Sequence, residues 1–429
     1  MRPGASRCAG TQPSRPPNST SMHPRSAQPA GRHLRLVAAL GCLCSLAMLG
    51  LARVGGARPI AQRDLPTHYV AAIAVDDRAG VLFVADAEQD RVLMLDGETG
   101  RLLRSFRTGQ GPAALTLDPM RGRLMVANQD DDTLSAIDYR GRGLVSSTSM
   151  ALASYPEASL AIDAPIVDIH RQRLYLTGGA GRAAMLDMRS ARPLRRSAAL
   201  PASDTVLGGP LLWDGGRHLY LLQPGSPGVP GTITVLDRDT LRVLASLHVG
   251  ADAQGMALDP LHHRLFVTGS ASLITIDLPS GRIIRRTPGL GTSMPPAVDS
   301  MDARLFLVAQ DGQHLRTLDS GSDAVLSTLA LPYVSGPLVL DPPRHRLLVP
   351  TAGGLAIVDA RGGSLLQTLD APATRLAAVD PVHGRVFLLS DGGPARDPLG
   401  WLPAVIRRHL PGSTPRQLPA RITIFAGPR

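Results

Sequence analysis

The residues with the chemistry to hold a ligand fall in short polar clusters. Asp86, Glu88 and Asp90 occupy one run, and Asn128, Asp130, Asp131 and Asp132 the next, about forty residues on. Carboxylates and an amide carbonyl are the hard oxygen donors that a calcium ion or a cationic partner takes, so these seven are the candidate ligand-binding residues. Calcium is the one ion the pattern suggests, and no other cofactor is indicated. Five histidines, His170, His262, His263, His345 and His383, each follow an aspartate by two to four residues. Imidazole and carboxylate at that spacing invite a metal reading. Because they lie in separate turns along the chain, however, solvated imidazoles are expected.

Catalytic signatures fail on inspection. The chain contains no lysine, which removes a Walker loop, and its only glutamates, Glu88, Glu98 and Glu157, build no HExxH. No GxSxG occurs. Gly109-Gln110-Gly111-Pro112-Ala113-Ala114 fits a relaxed dinucleotide pattern, but it joins two strands and opens no helix, so a turn between repeats is expected there.

The elements that carry these residues repeat. From residue 71 an apolar strand ending in Asp leads through a four-residue turn to a strand that usually begins Arg-Leu, then through a loop to a third strand ending in Asp, and then to a less regular fourth. The first strands end at Asp76, Asp118, Asp168, Asp214, Asp259, Asp299, Asp341 and Asp380. That period of roughly 38 to 50 residues is the length of a propeller blade. Short Val/Leu/Ile runs between Gly, Pro and Asp turns are strands. The expected fold is all-β: a β-propeller of four-stranded antiparallel blades, eight by the repeat count, with seven complete blades and one displaced repeat as the alternative. The last repeat ends at ITIFA without a fourth strand. An open edge would leave backbone groups free to pair elsewhere, so residues 59–68 are expected to supply the missing strand.

In six repeats the first-strand Asp is followed five residues later by Arg, as in Asp118 and Arg123 or Asp259 and Arg264. These pairs are expected to close the turn as ion pairs. The third-strand aspartates, Asp96, Asp138, Asp187, Asp237, Asp277, Asp319 and Asp359, are expected to be Asx-turn acceptors.

Before the repeats, residues 1–35 are rich in Pro, Ser and Arg and are expected to be disordered. Residues 36–52, LVAALGCLCSLAMLGLA, form an uncharged apolar run preceded by arginines only, which reads as a signal peptide or membrane anchor, with the body exported. Residues 53–58 form a linker and 59–429 the propeller, interrupted by an insertion at about 391–421. Within the insertion Trp401, Leu402, Val405, Ile406 and Leu410 beside Arg407 and Arg408 suggest a short amphipathic helix, which lies either on a membrane or partner or across the mouth of the ring. The formal charge of +10 is concentrated at the N-terminus: beyond residue 57 stand 38 arginines against 35 acidic residues, a net +3. That balance, with 3% aromatics, argues against nucleic acid as a partner. Cys8, Cys42 and Cys44 all precede the repeats, so the body forms no disulfide, which suits an extracytoplasmic protein, secreted or held at the outer face of the cytoplasmic membrane.

RLMVANQDDDTLSAID at 123–138 resembles the YVTN repeat, and VLASLHVGADAQGMALDP at 243–260 is similar to the join between consecutive repeats of that YncE-like family. Weaker copies cover about 71–390. The resemblance implies an exported propeller that serves as a binding scaffold, without implying one activity. Two functions stand beside each other at this point: a non-enzymatic scaffold that takes a protein, glycan or small ligand through its loop face, and a metal-dependent hydrolase of lactonase type, which needs carboxylates converging on the channel.

Overall fold

A computed structural model describes residues 58–131, 133–141, 143–149, 165–178, 182–190, 192–197, 210–225, 229–250, 252–292, 294–371, 373–392 and 418–426. The chain divides at Arg53, and every described residue belongs to the second unit, Val54–Arg429. The apolar segment 36–52, Asp132 and the insertion residues Trp401, Leu402, Ile406, Arg407 and Arg408 lie outside the described residues. Among those described, no helix is long and apolar enough to cross a membrane.

The second unit is an eight-bladed propeller, each blade one four-stranded antiparallel sheet. Blade 1 runs Ala72–Asp76, Val81–Asp86, Arg91–Asp96 and Leu102–Arg107. Burial follows from position in the ring. The second strand, VLFVAD, is buried at every residue because it packs on both faces, whereas the fourth, LLRSFR, buries only Phe106. A strand buried on both faces is apolar through its middle, which explains the Leu-Phe-Val and Leu-Phe-Leu-Val runs within RLFVTG and RLFLV. First strands contact one another from blade to blade around the whole ring, including Ala72–Asp76 with Thr374–Asp380.

The hydrophobic core is divided into eight clusters, one at each junction. Between blades 8 and 1, Phe387, Leu389, Ile422 and Ile424 meet Leu82, Val84, Leu93 and Leu95. Each fully buried Leu, Ile or Phe contributes about 1.5–3 kcal/mol relative to exposure, so no blade is stable without its neighbours.

Ring closure falls where the unfinished last repeat requires it. Ala61–Asp64 completes blade 8 by pairing with Arg421–Ala426, in the register Ala61 to Ile424 through Asp64 to Arg421. Main-chain bonds from Ile60 to Ile424 and from Leu65 to Ala420, both 2.7 Å, extend the pairing at either end. Thus the strand that ends the ring comes from the start of the second unit.

Except in blade 7, where Asp341 makes no such bond, the turn after a first strand is built from its aspartate. The Asp76 Oδ1 accepts the Arg78 and Ala79 amides, Asp299 and Asp380 repeat the arrangement, and Asp259 accepts the His262 amide. The residue four beyond the Asp is left-handed in blade after blade, as at Gly80, Gly122, Gln172, His263, Ala303, His345 and Gly384, the geometry of a four-residue hairpin. The third-strand aspartates are Asx-turn acceptors as expected: Asp187 Oδ1 accepts the Arg189 and Ser190 amides, and Asp319 Oδ1 those of Gly321 and Ser322.

The turn closures expected for Arg123, Arg173, Arg264, Arg304 and Arg385 are not what forms. Asp118 and Arg123, Asp168 and Arg173, and Asp259 and Arg264 are cross-strand partners, but the carboxylates pair with a residue inside the turn. Asp118 takes Arg121 at 3.1 Å and Asp259 takes His262 at 2.8 Å. The arginines instead cross to the third-strand turn of the next blade. Arg123 donates to the Arg189 carbonyl, Arg173 pairs with Asp239 at 2.6 Å, Arg264 donates to the Ser320 carbonyl at 2.5 Å, Arg304 to the Arg361 carbonyl at 2.9 Å, and Arg385 pairs with Glu98 at 3.5 Å. Position in the repeat is the same each time, so the ring, by setting the turn of the next blade beside each of these arginines, decides where they bind.

Candidate functional site

Loops between second and third strands share a face with the blade-to-blade connections, because strands alternate in direction. On this face Asp86, Glu88, Asp90 and Asp131 are committed to holding the chain. Asp86 is buried; its Oδ1 accepts the Thr67 hydroxyl at 2.7 Å and its Oδ2 accepts Arg91 Nε at 2.8 Å. Glu88 accepts the His68 amide and faces its Nδ1 at 3.3 Å. Asp90 Oδ1 accepts the Gly111 amide, and Asp131 accepts the Gln110 amide at 2.8 Å and the Thr133 hydroxyl at 2.6 Å. Asn128 is buried, its amide donating to Thr133 and Ser135, while its Oδ1 is without a hydrogen-bond partner among the described residues.

Gly109-Gln110-Gly111 is therefore the turn between blades, gripped from both sides. Gly111 is left-handed at φ 62, and a Cβ there would stand 2.4 Å from the Asp130 Oδ2; one at Gly109 would stand 2.6 Å from the Asp131 Oδ2. The glycines are needed because the acidic loop packs directly on the backbone. Asp90 and Asp131 grip adjacent amides of this turn, while Asp86 and Glu88 are taken up by Thr67, Arg91 and His68. Among the described residues these carboxylates form no group whose ligand atoms converge on one point.

The channel wall comes from first strands, and beside blades 7, 8 and 1 a cavity of about 300 Å³ is lined by Ile73, Val75, Val339, Leu340, Ala377 and Val379 among others. Apolar side chains dominate it.

The opposite rim carries a feature absent from the sequence reading. On the turns that leave the innermost strands, Met120, Leu261, Met301 and Val382 are 60%, 59%, 76% and 63% exposed, and Ile169 is 40% exposed. The first four occupy one repeat position, two residues after the strand-ending Asp, in blades 2, 5, 6 and 8. Large apolar groups held outward at equivalent points around one mouth of a ring are the kind of surface a partner covers. The motif Asp-Pro-apolar, as in Asp118-Pro119-Met120, Asp259-Pro260-Leu261 and Asp380-Pro381-Val382, was its signal in the sequence.

The rim histidines do not all stand apart. His262 and His383 bind their own turn aspartates through Nδ1, each at 2.8 Å. His345 of blade 7 crosses to blade 6, its Nδ1 2.5 Å from the Asp302 Oδ2, while Arg361 approaches the Asp302 Oδ1 at 3.2 Å and the His345 Nε2 at 2.7 Å. Burial alone would raise the Asp302 carboxyl, but hydrogen bonds from His345 and Arg361 outweigh it and hold the group below its ordinary value. The expectation of isolated, solvated imidazoles fails here because the ring places two turns of neighbouring blades side by side.

Comparison with known proteins supports the architecture alone. No family model and no curated protein matches the sequence. Among solved structures, the chain is similar to BamB from Moraxella catarrhalis (14% identity, 86% of this chain and 99% of that one, TM-score 0.58) and to Saccharomyces cerevisiae Sqt1 (13%, 87% and 100%, TM-score 0.63). It is also similar to the quinohemoprotein alcohol dehydrogenase ADHIIG from Pseudomonas putida HK5 (12%, 87% and 77%, TM-score 0.62). At such identities the likeness is one of fold, and a fold shared with an alcohol dehydrogenase does not by itself select a function.

Proposed function

We propose that this protein is an extracytoplasmic, non-enzymatic propeller scaffold that binds a partner protein across the rim carrying Met120, Leu261, Met301 and Val382. The observation that carries this reading is the exposure of these side chains at one repeated turn position. Methionine and leucine adapt to a partner's contour and supply apolar area at the centre of an interface, where most binding energy resides. The apolar run at 36–52 behind arginines, and a body free of cysteine, support export and a tether or release at the membrane. The apolar channel wall gives little to a metal-dependent hydrolase of lactonase type.

The test compares the full-length protein with the triple variant Met120→Asp, Leu261→Asp, Met301→Asp, and with Glu88→Ala on the opposite face, against solubilised envelope proteins from the source cells. The expected result is a specific protein retained by wild type and by Glu88→Ala and lost by the triple variant, with thermal stability unchanged. Retention by the triple variant with loss in Glu88→Ala would move the site to the acidic loop face. Retention by both variants, or lactone hydrolysis by the purified protein, would overturn the reading.

A further inference from the structure

We propose that Asp299, Asp302 and His345 form a binding site for one first-row divalent transition-metal ion at the junction of blades 6 and 7. The argument begins from a broken rule in the repeat. Among the described residues the first-strand aspartates other than Asp341 use Oδ1 for the turn, and outside blade 6 each turns Oδ2 toward a cation or a hydroxyl, even where, as at Asp168, no hydrogen bond forms. Asp118, Asp168 and Asp341 face the arginine three residues on, at 3.1, 3.8 and 3.6 Å. Asp259 and Asp380 face a histidine at that position, Asp214 faces His218 at 3.0 Å, and Asp76 takes the Tyr139 hydroxyl at 2.5 Å. In blade 6 the residue three beyond Asp299 is Asp302, a second carboxylate. Asp299 is 2% exposed, its Oδ1 holds the Met301 and Asp302 amides, and its Oδ2 is buried without a hydrogen-bond partner.

An unpartnered carboxylate oxygen inside a protein is costly, and the position where its neighbours hold a cation is here lined by ligands. One ligand atom from each of Asp299, Asp302 and His345 lies within 4.8 Å of the others. Two carboxylates and one imidazole suit zinc, manganese, iron or cobalt in the divalent state better than calcium, which prefers oxygen alone. Three protein ligands also leave coordination positions for water or for a group from a partner.

Arg361 now stands against two of the three ligands, and its side chain is 59% exposed. Arg304, the other cation nearby, is engaged with the Arg361 carbonyl and, at 3.6 Å, with Asp319. Arg361 therefore neutralises Asp302 in the metal-free state and has solvent to swing into when an ion arrives. If the ion takes the His345 Nδ1, the ring proton moves to Nε2 and meets an N–H of Arg361; if it takes Nε2, it meets the guanidinium directly. Either way Arg361 opposes the ion, and its removal strengthens binding.

The test uses the full chain, stripped with a chelator and titrated with Zn2+ by calorimetry and with Co2+ by absorption. One ion is expected per chain, bound at least about tenfold more weakly by Asp302→Asn and by His345→Ala and at least about tenfold more tightly by Arg361→Ala, on the scale on which altered metal shells change affinity. The Co2+ complex should show d–d bands without thiolate charge transfer. Failure of both wild type and Arg361→Ala to bind Zn2+ or Co2+ overturns the proposal. So does binding undiminished in Asp302→Asn, or a thiolate band, which would place the ion on Cys8, Cys42 or Cys44. Since Arg361→Ala removes no ligand, its gain of affinity separates a metal site from a purely structural network.

Discussion

Tyr139 offers a direct measure of what one contact between blades contributes. It stands just after the third strand of blade 2, and its hydroxyl donates to the Oδ2 of Asp76 in blade 1 at 2.5 Å. Asp76 is fully buried, and a cation near that oxygen, Arg140, is 3.6 Å away. Tyr139→Phe keeps the ring that packs on Phe83, at a centroid distance of 4.8 Å, so apolar burial is conserved and only the hydrogen bond is lost. A hydrogen bond to a charged, desolvated acceptor contributes about 1.5–3 kcal/mol, and the loss of stability in urea at pH 7 should fall in that range with an unchanged denaturant slope. In the background of Asp76→Asn the same substitution should cost clearly less, because the charged acceptor is gone. Burial first, and the bond to Asp76 second, push the Tyr139 phenol well above its ordinary value. A raised folded-state value means that the contribution is whole below the unfolded phenol value, about 10, and is lost as pH climbs through the folded one. Wild type should therefore shed stability above about pH 10 by an amount that Tyr139→Phe does not show. A loss below about 0.5 kcal/mol at pH 7, or an equal loss with and without Asp76, would refute the reasoning.

Other expectations follow from the same structure. Deleting residues 59–65 removes the pairing of Ala61–Asp64 and bares the strand Arg421–Ala426, so the protein should self-associate, which size-exclusion chromatography with light scattering reads directly. Gly354→Ala should cost at least about 1–3 kcal/mol in thermal or urea unfolding, because its φ is 141° and a Cβ would lie 2.1 Å from the Leu369 carbonyl oxygen, which is backbone and cannot turn aside. Asp237 is held low, first by Arg217 and then by the Thr240 hydroxyl, and Asp319 first by the Ser322 hydroxyl. Lowered folded-state values give stability that is present above the unfolded value of about 4 and fades as pH falls further, so Asp237→Asn should flatten the acid limb of a pH–stability curve while lowering its neutral plateau.

Much of the architecture was legible because its causes are local. The aspartates at the ends of strands one and three cap turns with their own next residues, and the apolar runs between them are long enough for one strand each. Eight such units, with the last one short of a strand, implied a ring closed from residues 59–68, where Ala61–Asp64 indeed pairs. The site was less legible. Asp90 and Asp131 read as free ligands because a sequence does not show that the connection Thr108 to Gly111 will present its amides to them, and Asp86 because it does not show that Thr67 and Arg91 will take its two oxygens. The exposed Met120 and Leu261 share the Asp-Pro-apolar motif, but the motif fixes only a turn position, and the exposure of the side chain there is set by the fold.

What the sequence determined alone was the blade: its period, its turns and the order of its strands, all set by hydrogen bonds and side-chain alternation within about forty residues. What only the tertiary structure decided was which blade faces which and at what angle. That geometry pairs Tyr139 with Asp76 across 63 positions and His345 with Asp302 across 43, and sends Arg173 to Asp239 rather than to its cross-strand Asp168. Packing of one sheet on the next, with its twist, fixes those distances, and no local pattern of residue types contains them.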